Sequence, residues 1–313
     1  MDSSSWGDLV DHHDNRRSAA TLGVEWPTVV VIVSVYGLFA AVTWHFAVLP
    51  LWVVVPVGAC LVALHSSLQH EAIHGHPTRR PVVNVILVGL PLALVMPYAR
   101  YKATHLRHHR DARLTDPYDD PESYYRSKRD WTATDAAMRA LLRANNTLLG
   151  RLTIGPVLWS ILFAIREARL LRRSPRMIVR AWLPHLAGVA VLGVWVVGFC
   201  DIGVAAYVLC FVYPGTALIM LRSFAEHQAH ERNGARTAII ETNPLLSLIF
   251  LNNNLHFAHH KHPRAPWYRL PEIYRREAAE ILAANDGYRF AGYLALARRH
   301  LVRAKEPVAH PYV

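Results

Sequence analysis

The chain has 313 residues, with 34 Lys and Arg against 23 Asp and Glu for a formal charge of +11, and it carries 19 His but only 3 Cys. Its 52% apolar content is only slightly above the roughly 45–50% of soluble domains, so distribution rather than composition is informative: no Lys, Arg, Asp or Glu occurs between Glu25 and Glu71, and only Asp201 occurs between Arg180 and Arg222. Each gap has room for two helical passes of about 20 residues, which excludes a disordered chain, a disulfide framework and an ordinary soluble enzyme.

In chain order, Met1 to about Thr21 is polar, with Asp11, Asp14, Arg16 and Arg17. It lacks the apolar core and small-residue cleavage site of a secretory signal, so the apolar run behind it is expected to be retained. Residues 1–26 are accordingly read as a polar cytosolic segment. Passes are expected over residues 27–49 and 51–68, broken at Pro50 into a helical hairpin. A third apolar stretch, residues 82–98, is interrupted by Pro91 and Pro97. A full crossing there would carry the basic segment Arg100 to Arg113 to the outside, so the pattern predicts a helix pair that dips into the membrane and returns. Leu148 to Ile165 contains Arg151 and is expected as one helix lying in the interface. Arg166 to Arg180 is strongly cationic, suited to anionic inner-leaflet lipids or to an acidic redox partner.

A second hairpin is predicted from residues 183–199 and 204–221, turning at Cys200-Asp201-Ile202-Gly203. Neither hairpin turn holds Lys or Arg, whereas the other connections are rich in them. By the positive-inside rule both hairpins enter from the cytoplasm, where both termini lie. Cys60, Cys200 and Cys210 fall in apolar stretches without Cys-x-x-Cys spacing and read as small buried hydrophobes. Metal chemistry therefore falls to histidine.

Four histidine clusters follow apolar segments: His70, His74 and His76; His105, His108 and His109; His227 and His230; and His256, His259, His260 and His262. Residues three and four apart share a helix face, so His70 pairs with His74, His105 with His108 and His109, and His256 with His259 and His260. One metal ion does not use eight imidazoles; two ions of four or more ligands do. A structural zinc site would be closed and would favour Cys, whereas an all-nitrogen dimetal centre at a membrane surface suits oxygen-activating iron. His12, His13, His300 and His310 are expected as solvated tail residues, and His45, His65 and His185 as hydrogen-bonded packing residues within the passes. A competing motif is His70-Glu71-Ala72-Ile73-His74, which matches the His-Glu-x-x-His of zinc metalloproteases. That reading leaves the second and last clusters without a role. A soluble-type di-iron carboxylate bundle would need two Glu-x-x-His pairs, and a transporter would place its ligands mid-membrane.

The three ordered boxes, between and after two hydrophobic hairpins, resemble the membrane fatty acid desaturase and hydroxylase superfamily over roughly Leu51 to Tyr274. Flanking residues agree: Asp116-Pro117 and Asp120-Pro121-Glu122 follow the second box, Asn252, Asn253 and Asn254 precede the last, and Pro263, Pro266-Trp267-Tyr268 and Leu270-Pro271 come after it. The resemblance implies an all-α integral membrane protein, four transmembrane helices in two hairpins with a cytosolic helical cap holding two irons. It implies a membrane domain over residues 27–274 and a cytosolic C-terminal tail over 275–313. It also implies a ninth ligand just after the fourth pass, best matched by His227, with His230 one turn away as the alternative. Some members place a water-linking Asn where Ser223 stands here. Asp116, Asp120 and Glu226 are candidates for carboxylates that orient ligand imidazoles.

The implied activity is oxygen-dependent removal of hydrogen from a lipid or acyl chain. O2 is the co-substrate, an external ferredoxin-like carrier supplies electrons, and no nucleic acid is involved. The ending His262 to Tyr268 also resembles carotenoid ketolases and hydroxylases, and some relatives act on small amino-acid-like substrates.

Overall fold

In lipid the backbone must satisfy its N–H and C=O groups internally, so uncharged stretches of this length fold as helices. A computed structural model of the chain describes residues 23–110 and 113–313; the polar stretch with His12 and His13 lies outside the described residues. The described chain divides into two compact units, residues 26–103 with 152–220, and residues 23–25 and 104–151 with 221–313.

The first unit holds most of the four helices long and apolar enough to cross a membrane, Trp26–Trp44, Leu51–Ile73, Pro175–Phe199 and Val204–Glu226. Large apolar side chains such as Val33, Trp52, Leu183 and Leu209 stand exposed on them, as lipid-facing residues must. Two boundaries depart from the hydropathy pattern. The first helix stops at Trp44, because His45 to Leu49 already turns toward Pro50. The third crossing helix begins at Pro175, eight residues before the apolar run, and its first turns carry the exposed Arg176 and Arg180. Their long stems can lie along apolar surface while the guanidinium groups reach water.

The predicted dipping helix pair is corrected: only Pro81–Val88 is helical, and Gly89 to Pro97 is irregular, with Leu94 at φ 63°. Pro91 and Pro97 remove backbone donors there. The freed carbonyls are covered by side chains from the crossing helices: Tyr207 donates to Leu92 O at 2.8 Å, the His185 ring contacts Leu94 O at 2.7 Å, and Gln69 donates to Val88 O at 3.1 Å. His65 meets the Tyr36 hydroxyl at 3.1 Å, whereas His45 is exposed at the turn. The expected single interface helix is also two, Leu148–Thr153 and Gly155–Arg173, divided at Ile154 before Gly155-Pro156. The longer one is anchored by Glu167, which accepts from buried Arg100 in a two-pronged pair at 2.9–3.0 Å and from Trp182 Nε1 at 3.0 Å.

The second unit includes Lys128–Ala133 and Ala136–Asn145, each started by a side-chain cap: Ser127 accepts from Asp130 N and Asp135 from Met138 N. Ile239–Ile240 pairs in parallel with Arg289–Phe290. Ile239, Leu255, Phe257, Ala258, Leu270, Tyr274 and Ile281 form one apolar core. Residues 275–313, expected as a tail, are folded: Leu270–Ala284 and Tyr293–His300 are helical, and Ile281, Leu296 and Val308 are buried. His300 and His310 are likewise buried at 6% and 1% exposure rather than solvated.

Helices of the first unit approach closely at small residues. A Cβ on Gly215 would lie 2.5 Å from Val62 Cβ, and one on Gly58 would lie 2.8 Å from Cys210 O, whereas one on Gly37 meets nothing within 4 Å. Gly215→Ala and Gly58→Ala should each cost about 1–3 kcal/mol through overpacking, read as a lowered thermal unfolding temperature in detergent. Gly37→Ala should be neutral or stabilising. Equal effects at all three positions would contradict this packing.

Candidate metal centre

The helix Tyr98–Arg110 carries His105, His108 and His109 at i, i+3 and i+4, and the short helix His256–Lys261 repeats that spacing with His256, His259 and His260. The second helix is preceded by two residues in the left-handed region, Leu251 at φ 46° and Asn252 at φ 55°. Such backbone is costly for non-glycine residues and persists where surroundings impose it. Here the amides do so: Asn252 Nδ2 donates to Trp267 O at 3.0 Å and Asn254 Nδ2 to Ile240 O at 2.7 Å. His227 immediately follows the helix ending at Glu226 and bridges Thr237 in antiparallel fashion, with Ala238 N donating to Glu226 O and Gln228 N to Arg236 O, both at 2.9 Å.

These elements gather His108, His227, His256 and His260 so that one ring nitrogen from each lies within 4.8 Å of the others. Beside them His105, His109 and His259 form a second group, with His109 and His259 Nε2 atoms 3.0 Å apart. The groups share a wall, since the His109 and His260 rings stack at 4.2 Å. In the other unit His70 and His74 lie together near the end of Leu51–Ile73, ring centroids 4.9 Å apart, with Glu71 Oε1 3.9 Å from His70 Nδ1. His230 turns away; its Nδ1 accepts from Arg232 N and its Nε2 lies 3.7 Å from Asp286.

The outward nitrogens are committed. His108 Nδ1 is 2.9 Å from Asp120 Oδ1, His105 Nδ1 is 3.0 Å from Glu122 Oε1, His256 Nδ1 donates to Asn253 Oδ1 at 3.0 Å, and His227 Nδ1 meets the Thr237 hydroxyl at 3.3 Å. Asp120 is itself fixed by backbone donors, Thr115 N at 2.8 Å and Glu122 N at 2.9 Å. Burial opposes its charge, but the His108 ring and those donors hold it below the usual carboxylate range. Asp116 serves its own turn, accepting from Tyr118 N and Asp119 N. Glu226 pairs with Arg222 at 2.8 Å and lies 3.6 Å from His256 Nδ1. Glu122, Asn253 and Thr237 were not among the orienting residues expected. The acidic pair two residues apart, Asp120 and Glu122, was the visible signal for the first; nothing in the sequence pattern marks Thr237.

This geometry tests whether a metal fits. With Nδ1 donating to Asp120 and Asn253, neutral His256 presents a lone pair at Nε2 while His108 Nε2 can keep a proton, and His227 Nε2 lies 3.1 Å from both. His227 Nε2 cannot both accept from His108 and donate to His256, whereas a metal ion in place of the protons would satisfy all three. Burial lowers His227 to about 3 and drives His256 and His260 well below the usual range, with neighbouring imidazoles adding to it. Against burial, Glu122 and Asp120 raise His108 to about 9. Neutral imidazoles at His227, His256 and His260, beside a carboxylate-backed His108 whose environment favours positive charge, make a donor set suited to a transition metal.

The fatty acid desaturase family model matches residues 46–292. The chain belongs to the fatty acid desaturase family. Comparison with curated proteins returns no match. The match covers the boxes and the crossing helices from Leu51 onward in this desaturase-family chain; it begins after the helix Trp26–Trp44 and ends before the helix Tyr293–His300. As in metal enzymes generally, the partner behind a ligand imidazole sets its tautomer. Asp120→Asn should therefore lower metal affinity about 10–100-fold in chelator competition, while Asp116→Asn leaves it unchanged. Equal losses would contradict the assignment of Asp120 to His108.

Proposed function

We propose that the chain is an integral-membrane, non-haem di-iron, oxygen-dependent desaturase of fatty acyl or lipid chains. The observation that carries this reading is the convergence of His108, His227, His256 and His260 nitrogens beside a second group of His105, His109 and His259. The first group is a complete four-nitrogen set. The second holds three, and His70 with His74 are assigned to it as its further two, which gives nine ligands with His227 as the ninth. A zinc protease built on His70, Glu71 and His74 would have no use for the imidazoles gathered in the other unit.

Two irons bound there would supply the reductive activation of O2 that lets hydrogen be taken from an unactivated carbon. The protein's part is orientation and exclusion of water. Asp120, Glu122 and Asn253 hold ligand rings in one tautomer, and the apolar faces of the crossing helices suit a lipid surrounding from which an acyl substrate would come. Removing two hydrogens while reducing O2 to two waters takes two further electrons and two protons. An external ferredoxin-like carrier is assigned to deliver the electrons. Arg169, Arg172, Arg173, Arg176 and Arg180 are exposed, with no carboxylate partner among the described residues, so an acidic carrier would be attracted to that face. The same charge distribution supports a cytoplasmic site and cytoplasmic termini.

Purified protein should contain about two irons per chain, and His108→Ala or His259→Ala should reduce that content. Lipids from cells producing the protein should show species lacking two hydrogens. Species gaining one oxygen would instead establish the hydroxylase or ketolase branch, and a single zinc with no oxygen consumption would overturn the di-iron reading.

A further inference from the structure

The residues behind His227 come from a part of the chain that the family match does not reach. From Lys305 to His310 the chain runs across the back of the metal-centre unit. Lys305 N donates to Asn146 O at 3.0 Å, Arg126 N to Val308 O at 2.9 Å and His310 N to Arg126 O at 2.8 Å, and Arg126 forms a parallel bridge with Ala309. The buried Lys305 Nζ donates to the backbone carbonyl of His227, which also accepts from the Tyr124 hydroxyl at 3.1 Å. Two residues on, Ala229 N is 3.0 Å from Glu306 Oε1 and 2.8 Å from Tyr125 Oη, and Tyr125 donates in turn to Glu306. The Lys305 ammonium lies 3.3 Å from the Glu306 carboxylate. His310 reaches the Thr115 hydroxyl at 3.2 Å, on the residue whose N–H holds Asp120.

We infer that residues 305–310 are a strap that positions His227, with Lys305 and Glu306 as its positioning residues. His227 sits past the end of its helix, so no helical hydrogen bond fixes its carbonyl or the N–H of Ala229. The strap supplies the missing partners, a cation on the first and a carboxylate on the second. The Lys305 side chain is buried and that of Glu306 largely so, where charge-assisted hydrogen bonds are strong and removal of one partner strands the other. The ring consequence is local: His227 Nε2 is the nitrogen between His108 and His256, so a peptide free to rotate at residue 227 withdraws the shared ligand from that group and leaves His105, His109 and His259 untouched. The inference rests on the dimetal reading.

The test is chelator competition on iron-loaded full-length protein, followed by iron content and by Mössbauer spectra that count distinct iron environments. Wild type should show two environments, and a wild type without them would defeat the dimetal reading rather than the strap. Given two, Lys305→Met and Glu306→Gln should release one iron about 10–100-fold more readily while the other stays as in wild type. Lys305→Arg should recover part of the loss. Tyr124→Phe removes only a hydroxyl and should give the same selective release in smaller degree if a Lys305 variant does not fold. Arg303→Met, on the exposed approach to the strap, should match wild type. Wild-type release from all strap variants, or equal loss of both irons, would overturn the strap.

Discussion

Buried imidazoles brought nitrogen to nitrogen are the constraint on which the rest of this protein depends. At 3.1 Å, His227 Nε2 faces the Nε2 atoms of His108 and His256, and it cannot accept from the first and donate to the second at once. A lone pair facing a lone pair in a site that excludes water is costly, and a shared cation removes the cost. The surrounding structure can be understood as what is needed to hold that unfavourable arrangement until the ion binds.

Three kinds of support do this. Carboxylate or amide acceptors fix ring tautomers, Asp120 on His108, Glu122 on His105 and Asn253 on His256. Strained backbone aims the rings: Leu251 and Asn252 in the left-handed region turn the chain into the last histidine helix, and Thr115, at φ 72°, points its N–H at Asp120. Side chains from distant segments then pin His227, which follows the last residue of its helix. The crossing helices meet the same requirement in lipid, where Gln69 covers the carbonyl of Val88 at the end of its helix and Tyr207 and His185 cover those of Leu92 and Leu94 in the irregular stretch that follows.

What was legible in the sequence follows from what is periodic or local. The crossing helices show because apolar residues run without charge, and the boxes show because i, i+3, i+4 spacing places imidazoles on one face. Family resemblance marked His227 over His230; His227 faces His108 and His256, and His230 turns toward Asp286. Residues acting through space at long sequence separation were not legible. Lys305 and Glu306 lie in a polar, proline-flanked stretch that looks like a solvated tail, and their role appears only when the chain returns to Tyr124 and His227. Helix ends were misjudged for a related reason: hydropathy marks where a helix is apolar, and Pro175 to Ala181 is helical but charged. The irregular stretch between Gly89 and Pro97 was expected to be helical because its composition is apolar; two prolines and local side-chain acceptors and donors decide otherwise.

Anomalous scattering at the iron edge from crystals of the iron-loaded protein tests the dimetal centre most directly. The dimetal reading predicts two peaks, one surrounded by the Nε2 atoms of His108, His227, His256 and His260, the other by His105, His109 and His259 with His70 and His74. A single peak beside His70, Glu71 and His74, with the other imidazoles free of metal, would contradict it.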